Sequence, residues 1–213
     1  MNLSDYRIKY SDQGWDGENL GEHPMEGVLQ WFNEADAHEK IVEPNAVILS
    51  TTDAKRIFQR TVLAKNLDQD GITIFTNYRS QKGRQMEANP NVSILFPWHA
   101  MERQIFIQAT VTRSAPEISD EYFYSRPYES QAGAWASNQS EEIESRQQLV
   151  DQYEAICKKY PEGSKVPRPE WWGGYHLAPT LIEFWQGGAG RLHDRIVFEK
   201  QADHSWTKKR LSP

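Results

Sequence analysis

The chain holds a single cysteine, Cys157, among its 213 residues. No internal disulfide can form, which fits a reducing compartment, so a cytoplasmic protein is expected. Metal-ligand spacing is missing as well. There is no CxxC pair and no HExxH, and the six histidines are scattered, so no metal site is expected. No apolar run is long enough to cross a bilayer, and the opening stretch MNLSDYRIKYSDQGWDG is polar, so neither a membrane span nor a secretory leader is expected. GxSxG and P-loop patterns do not occur, which removes the sequence signs of those two chemistries. Positive charge is in deficit too: 24 Lys and Arg face 30 Asp and Glu, a net −6, which argues against general nucleic-acid binding.

What is present is aromatic and locally cationic. Hydrophobic residues make up 38% of the chain, enough for one packed core at this length. The densest stretch is residues 183–195, EFWQGGAGRLHDR. Gly187, Gly188 and Gly190 permit backbone angles that side chains disfavour, so a tight turn is expected between strand-like LIEFW and RIVF. If Arg191 already lies on the outgoing strand, Arg191, His193 and Arg195 alternate onto one face. Two guanidiniums and an imidazole beside an indole suit a planar anion; a solvated charged hairpin face is the plainer alternative.

In chain order, residues 1–22 carry few apolar anchors and read as an arm or lid of weak structure. Pro24 opens a helix reaching about Ala37, with Val28, Leu29, Trp31 and Phe32 as its stripe. NAVILST (45–51) and IFQRTVLAK (57–65) read as a hairpin. Its cations Arg60 and Lys65, five apart, fall on opposite faces of a regular strand, so sharing a ligand requires a bulge or a site at the strand end. ITIFT (72–76) is a third strand, and Ser80 caps a short helix whose first turn carries Lys82. VSILFPW (92–98) and QIFIQATVT (104–112) are two more strands.

Short helices are expected near 116–124 and 130–135. Tyr122, Arg126 and Ser130 are each four apart, a spacing that shares a helical face, although Pro127 interrupts it. Phenol, guanidinium and hydroxyl make a phosphate clamp or simply a polar helix end. Residues 141–160 read as one amphipathic helix with Ile143, Leu149, Tyr153 and Ile156 inward. Strands at 175–185, 195–200 and 206–211 complete about eight strands and four helices. Strands that follow one another directly favour an antiparallel barrel over a doubly wound sheet.

Several long motifs stand in order: QRTVLAK (59–65), FTNYRSQK (75–82), LFPWHAMERQ (95–104), YFYSRPYESQAGAWASNQS (122–140), WWGGY (171–175) and EFWQGGAGRLHDR, with RLSP at the end. From about residue 24 onward the chain resembles the pyridoxamine 5'-phosphate oxidase family, and Arg7 and Tyr10 resemble its lid. The resemblance implies an α+β, mainly β fold, a split β-barrel with peripheral helices, as one domain over 23–213 that includes a C-terminal dimerisation region. It implies a homodimer with FMN between subunits. It implies that Arg60, Lys65, Phe75, Thr76, Gln81, Lys82, Gln104, Gln139, Ser140, Trp185 and Arg195 hold FMN. Lys65, Tyr122, Arg126, Ser130, Arg191 and His193 would hold the substrate. The implied reaction converts pyridoxamine or pyridoxine 5'-phosphate to pyridoxal 5'-phosphate, with O2 as acceptor and hydrogen peroxide as product. Arg191 would orient and stabilise charge, and His193, whose reference pKa is near neutrality, would accept a proton.

Three positions depart from the family pattern. Gln81 stands where an arginine is usual, in S-R-K. A charge-assisted hydrogen bond contributes about 1.5–3 kcal/mol, so weaker FMN binding is expected unless Arg79 or Arg84 substitutes. Phe75 replaces a frequent tyrosine, and residues 53–56 lack the Gly-x-Pro often found in that turn.

Overall fold

A computed structural model describes residues 1–5, 9–11, 15 and 17–213. Arg7, half of the lid pair, lies outside them. The order is α1 (Pro24–Asp36), β1 (Ala46–Thr52), β2 (Ile57–Asp68), β3 (Gly71–Asn77), α2 (Gln81–Ala88), β4 (Asn91–Trp98), β5 (Arg103–Arg113), α3 (Pro116–Ser125), α4 (Tyr128–Ala136), α5 (Arg146–Lys159), β6 (Trp172–Gln186), β7 (Asp194–Lys200) and β8 (Trp206–Leu211).

Every strand pairing is antiparallel. The order β3-β2-β1-β4-β5-β6 closes on itself because β6 also pairs with β3, and β7 and β8 extend the sheet beyond β6. The result is a six-stranded antiparallel barrel with two extra strands and five helices, the split-barrel expectation realised. Closure pairs β3, which an open sheet would leave as a free edge, while β8 remains an edge beyond the barrel.

Alternation fills the barrel. Val47 and Leu49 on β1, Ile94 and Phe96 on β4, and Ile105 and Ile107 on β5 are buried at every second position. On β6 the phase breaks. Leu177 and Pro179 are buried, then Ile182 and Phe184, because Thr180 is an extra residue where the register with β5 shifts at Gln108/Ala109. Helix α1 places Met25, Val28, Trp31 and Ala35 on the same core, with Trp31 edge-on to Phe184 at 5.2 Å between ring centroids.

Several of the described residues within 1–22 contact the rest of the fold. Leu20 is fully buried, Trp15 meets Trp31 at 5.0 Å, and Lys208 Nζ donates to the Gly17 carbonyl at 2.6 Å. The helix expected over 141–160 begins only at Arg146, capped by Ser145, and buries no side chain. Ile143 lies before it, and Ile143 and Leu149 are exposed. Their periodicity is helical, and α4 packs on α5 but leaves these two side chains exposed.

The turn at 187–193 also differs from expectation. Residues 189–191 form a short 3-10 turn, and β7 starts at Asp194, so Arg191 and His193 precede the strand. Strand alternation therefore does not govern Arg191, His193 and Arg195. Arg191 holds a left-handed backbone, φ 64°, directly after Gly190 at φ 63°.

Candidate functional site

Three groups of the expected residues emerge, and the fold separates them. The first surrounds α2. Ser80 caps this helix, its Oγ accepting from Gly83 N at 3.2 Å. Lys82, in the first turn, donates from Nζ to Thr76 Oγ1 at 3.3 Å, and Thr76 Oγ1 meets Gln139 Oε1 at 3.3 Å. Ser140 follows with φ 73°, a strained angle for a side-chain-bearing residue. Arg60 approaches from β2 and donates to Thr51 Oγ1 at 2.6 Å and to the Leu49 carbonyl at 3.2 Å. Burial pushes the pKa of Arg60 down; burial and then the charge of Arg60 push Lys82 down. Two cations pressed together with no carboxylate within 4.0 Å among the described residues make an anion site.

Gln81 is exposed and lines a separate shallow pocket with Asp53 and Arg84. Neither arginine offered as its substitute joins Arg60 and Lys82. Arg84 pairs with Glu141 at 2.9 Å, and the Arg79 guanidinium lies 4.6 Å from the Trp171 ring centre.

The second group is built on an aromatic stack. Phe75 and Tyr122 stack at 4.1 Å, and Trp172 joins them at 5.7 and 6.1 Å. Lys65 Nζ lies 6.0 Å from the Tyr122 ring centre, and Arg126 lies 4.6 Å from that of Trp172. The bulge needed at the end of β2 exists: the register with β3 skips between Ala64 and Asn66, leaving Lys65 unpaired. It turns Lys65 toward Tyr122 and leaves Arg60 with α2, so the two cations join different clusters.

Helices α3 and α4 break at Arg126, which is extended, and Pro127. Tyr122 and Lys65 therefore line one cavity of about 690 Å³, while Arg126 and Ser130 line another of about 250 Å³ with Trp172 and Gln139. The Arg126 Nη1 atom is buried without a hydrogen-bond partner, and burial pushes the pKa of Arg126 down. An orphaned buried guanidinium nitrogen fits an anionic ligand.

The third group lies at the far end of β6. Gln104, Trp185 and Arg195 stand side by side across β5, β6 and β7. His193 packs on Trp185 at 4.7 Å, and Tyr10 lies edge-on to both rings at 5.3 and 6.0 Å. Arg195 makes a two-point bond to Glu183 at 2.8 and 3.0 Å, which raises its pKa and offsets its charge. Gly188 N donates to His193 Nδ1 at 3.1 Å. Nδ1 is thus the accepting nitrogen of the ring in this bond, and a proton on a neutral ring would sit on Nε2. Glu183, Thr51 and Gln85 are partners that spacing along the chain did not single out: Thr51 meets Arg60 across the β1–β2 pair, Gln85 joins them where α2 packs on β1, and Glu183 meets Arg195 across the β6–β7 pair.

A closed split barrel carrying a cation pair at a capped helix defines the class: an FMN-binding split-barrel flavoprotein. A sequence profile described as Pyridoxamine 5'-phosphate oxidase matches residues 34–159, and one described as Pyridoxine 5'-phosphate oxidase C-terminal dimerisation region matches residues 172–213. A pyridoxine/pyridoxamine 5'-phosphate oxidase of Streptomyces avermitilis is 46% identical, covering 97% of this chain and 94% of its own. Another from Hydrogenovibrio crunogenus is 44% identical, covering 100% and 99%. The chain belongs to the pyridoxine/pyridoxamine 5'-phosphate oxidase family, and its cofactor is FMN.

Among solved structures, PhzG from Burkholderia lata, in complex with tetrahydrophenazine-1-carboxylic acid, is similar with a TM-score of 0.88 and 26% identity over 97% of this chain and 100% of that one. A pyridoxamine 5'-phosphate oxidase-related, FMN-binding protein from Nostoc punctiforme shares the fold at a TM-score of 0.70 and 13% identity, over 89% and 98%. No helix among the described residues is long and apolar enough to cross a membrane.

Proposed function

We propose that this protein oxidises pyridoxamine and pyridoxine 5'-phosphates to pyridoxal 5'-phosphate, with O2 as acceptor and hydrogen peroxide as product. The observation that carries the reading is the buried, unpartnered Nη1 of Arg126 beside Ser130, against an aromatic cluster that Lys65 also borders. Cations flanking flat rings suit a planar heterocycle with a phosphate tail. Lys65, Tyr122, Arg126 and Ser130 hold that phosphate, a part of the substrate that does not react, and so fix the carbon that does. FMN, when bound, supplies the hydride acceptor, and its reoxidation consumes O2. Arg60 and Lys82 take its phosphate, with Thr76, Gln139 and Ser140 beside them. Arg191 orients the substrate, and His193 donates from Nε2. Tyr10 covers the His193 end as part of a lid.

The groups around Thr76 and around Trp185 require two chains. Thr76 is in register with Gly173, and Gln104 with Trp185. From Gly173 to Trp185 runs roughly 40 Å of strand at ~3.3 Å per residue. A homodimer places the Trp185 group of one subunit against the Thr76 group of its partner, so FMN lies between subunits.

The likeness to PhzG favours one rival substrate class, reduced phenazine carboxylic acids. The test is purified protein with FMN in air, given pyridoxine 5'-phosphate, pyridoxamine 5'-phosphate or tetrahydrophenazine-1-carboxylic acid. Pyridoxal phosphate and peroxide rising together in the first two reactions is the expected result. Peroxide only with the phenazine acid transfers the assignment to that class, and an FMN-loaded protein inert to all three rejects both.

A further inference from the structure

Arg60 is held unlike most arginines of this chain. Among the described residues, seven arginines pair with carboxylates. Arg60 instead donates to three neutral oxygens: the Leu49 carbonyl at 3.2 Å, Thr51 Oγ1 at 2.6 Å and Gln85 Oε1 at 3.5 Å. Thr51 Oγ1 donates in turn to Gln85 Oε1 at 2.6 Å, so guanidinium, hydroxyl and amide form a hydrogen-bonded chain in which each bond polarises the next. Both anchors are set in rigid parts of the fold. Thr51 is 3% exposed on β1 and Gln85 is 7% exposed on α2.

We infer that Thr51 and Gln85 are positioning residues that hold the Arg60 guanidinium through neutral acceptors alone, reserving its full charge for the phosphate of FMN. A glutamate at 85 would have nearly the same shape and would grip Arg60 more firmly, but its charge would cancel the attraction and repel a phosphate. The amide supplies the geometry without the neutralisation. The inference rests on the proposed placement of the FMN phosphate at Arg60 and Lys82.

The experiment titrates apo-protein with FMN and, separately, with riboflavin, which lacks the phosphate, while thermal unfolding of the apo-protein is followed in parallel. Gln85→Glu is expected to leave the unfolding midpoint unchanged or raised, to weaken FMN at least tenfold, and to leave riboflavin affinity as it was. Equal losses for both flavins would reduce Gln85 to a packing residue, and unchanged FMN affinity would overturn the inference outright. Thr51→Val should weaken FMN selectively and Thr51→Ser should restore it. This pair decides the question should Gln85→Glu fail to fold, and equal FMN affinity in the two would overturn it. Arg60→Met separates the two readings. If it leaves FMN affinity intact, the phosphate placement falls and the inference with it. If it weakens FMN while Gln85→Glu does not, the placement stands and the inference alone falls.

Discussion

At the scale of single residues, Arg191 combines its proposed role toward substrate with backbone strain. Its φ of 64° is left-handed, a region that costs a side-chain-bearing residue about 1–2 kcal/mol. Glycine relieves that cost but gives back about 0.5–1 kcal/mol of backbone entropy. Arg191→Gly is therefore expected to unfold at the same temperature as the parent or slightly higher, with turnover sharply reduced. Thermal unfolding and steady-state kinetics on one preparation check this, and a clear loss of stability would refute the strain argument. Arg191→Ala should depress turnover far more than FMN content; equal losses in both would place Arg191 with the cofactor instead.

At the scale of elements, α2 carries Lys82, one member of the cation pair, and is fastened at both ends. Ser80 is fully buried and caps its first turn. Replacing such a cap with alanine costs about 1 kcal/mol, so Ser80→Ala should lower the unfolding midpoint and weaken FMN binding together. At the other end Glu87 accepts from Tyr175 Oη and from Arg113 Nε, each at 2.7 Å, tying α2 to β6 and β5. Burial pushes the Glu87 carboxyl up, but the bonds from Arg113 and Tyr175 and the charge of Arg113 outweigh it and leave the carboxyl below its ordinary 4.5. The group is thus more acidic folded than unfolded, so its stabilisation is present above about pH 4.5 and is lost as pH falls below it. With the side chain 42% exposed, solvent screening holds the effect to about 1 kcal/mol or less. Glu87→Gln should flatten the acid limb of a stability-versus-pH curve by that amount; an unchanged limb would assign it to other carboxylates.

At the scale of the whole molecule, a site shared by two chains makes a statistical prediction. A Lys82→Met chain and a Trp185→Ala chain damage different halves of the proposed site. When they exchange subunits, half of the dimers are mixed, and each mixed dimer pairs both lesions in one site and leaves the other intact. Mixing two inactive variants should therefore recover about a quarter of parental activity. No recovery after verified subunit exchange would mean that each chain builds its site alone.

Local pattern made much of this molecule legible. Alternating apolar residues identified the strands, Pro24 and Ser80 marked two helix starts, and strands in direct succession pointed to an antiparallel barrel, because those signals act over a few neighbouring residues. The long motifs, read through family resemblance, named the residues of the candidate site. Spacing also stated the condition on Lys65, a bulge, without revealing that one was there. What lay beyond reach depends on contacts between distant segments. The β1–β2 pairing sets Thr51 beside Arg60, α2 packing on β1 adds Gln85, and Glu183 meets Arg195 only when β6 and β7 pair. The backbone at 189–191 curls instead of continuing as a strand, so the alternation expected of Arg191, His193 and Arg195 fails. The sequence by itself determined which residues are apolar, charged or conformationally free; the tertiary structure decided which charges meet a carboxylate and which are left facing an anion, because that pairing follows from distance in space and not along the chain.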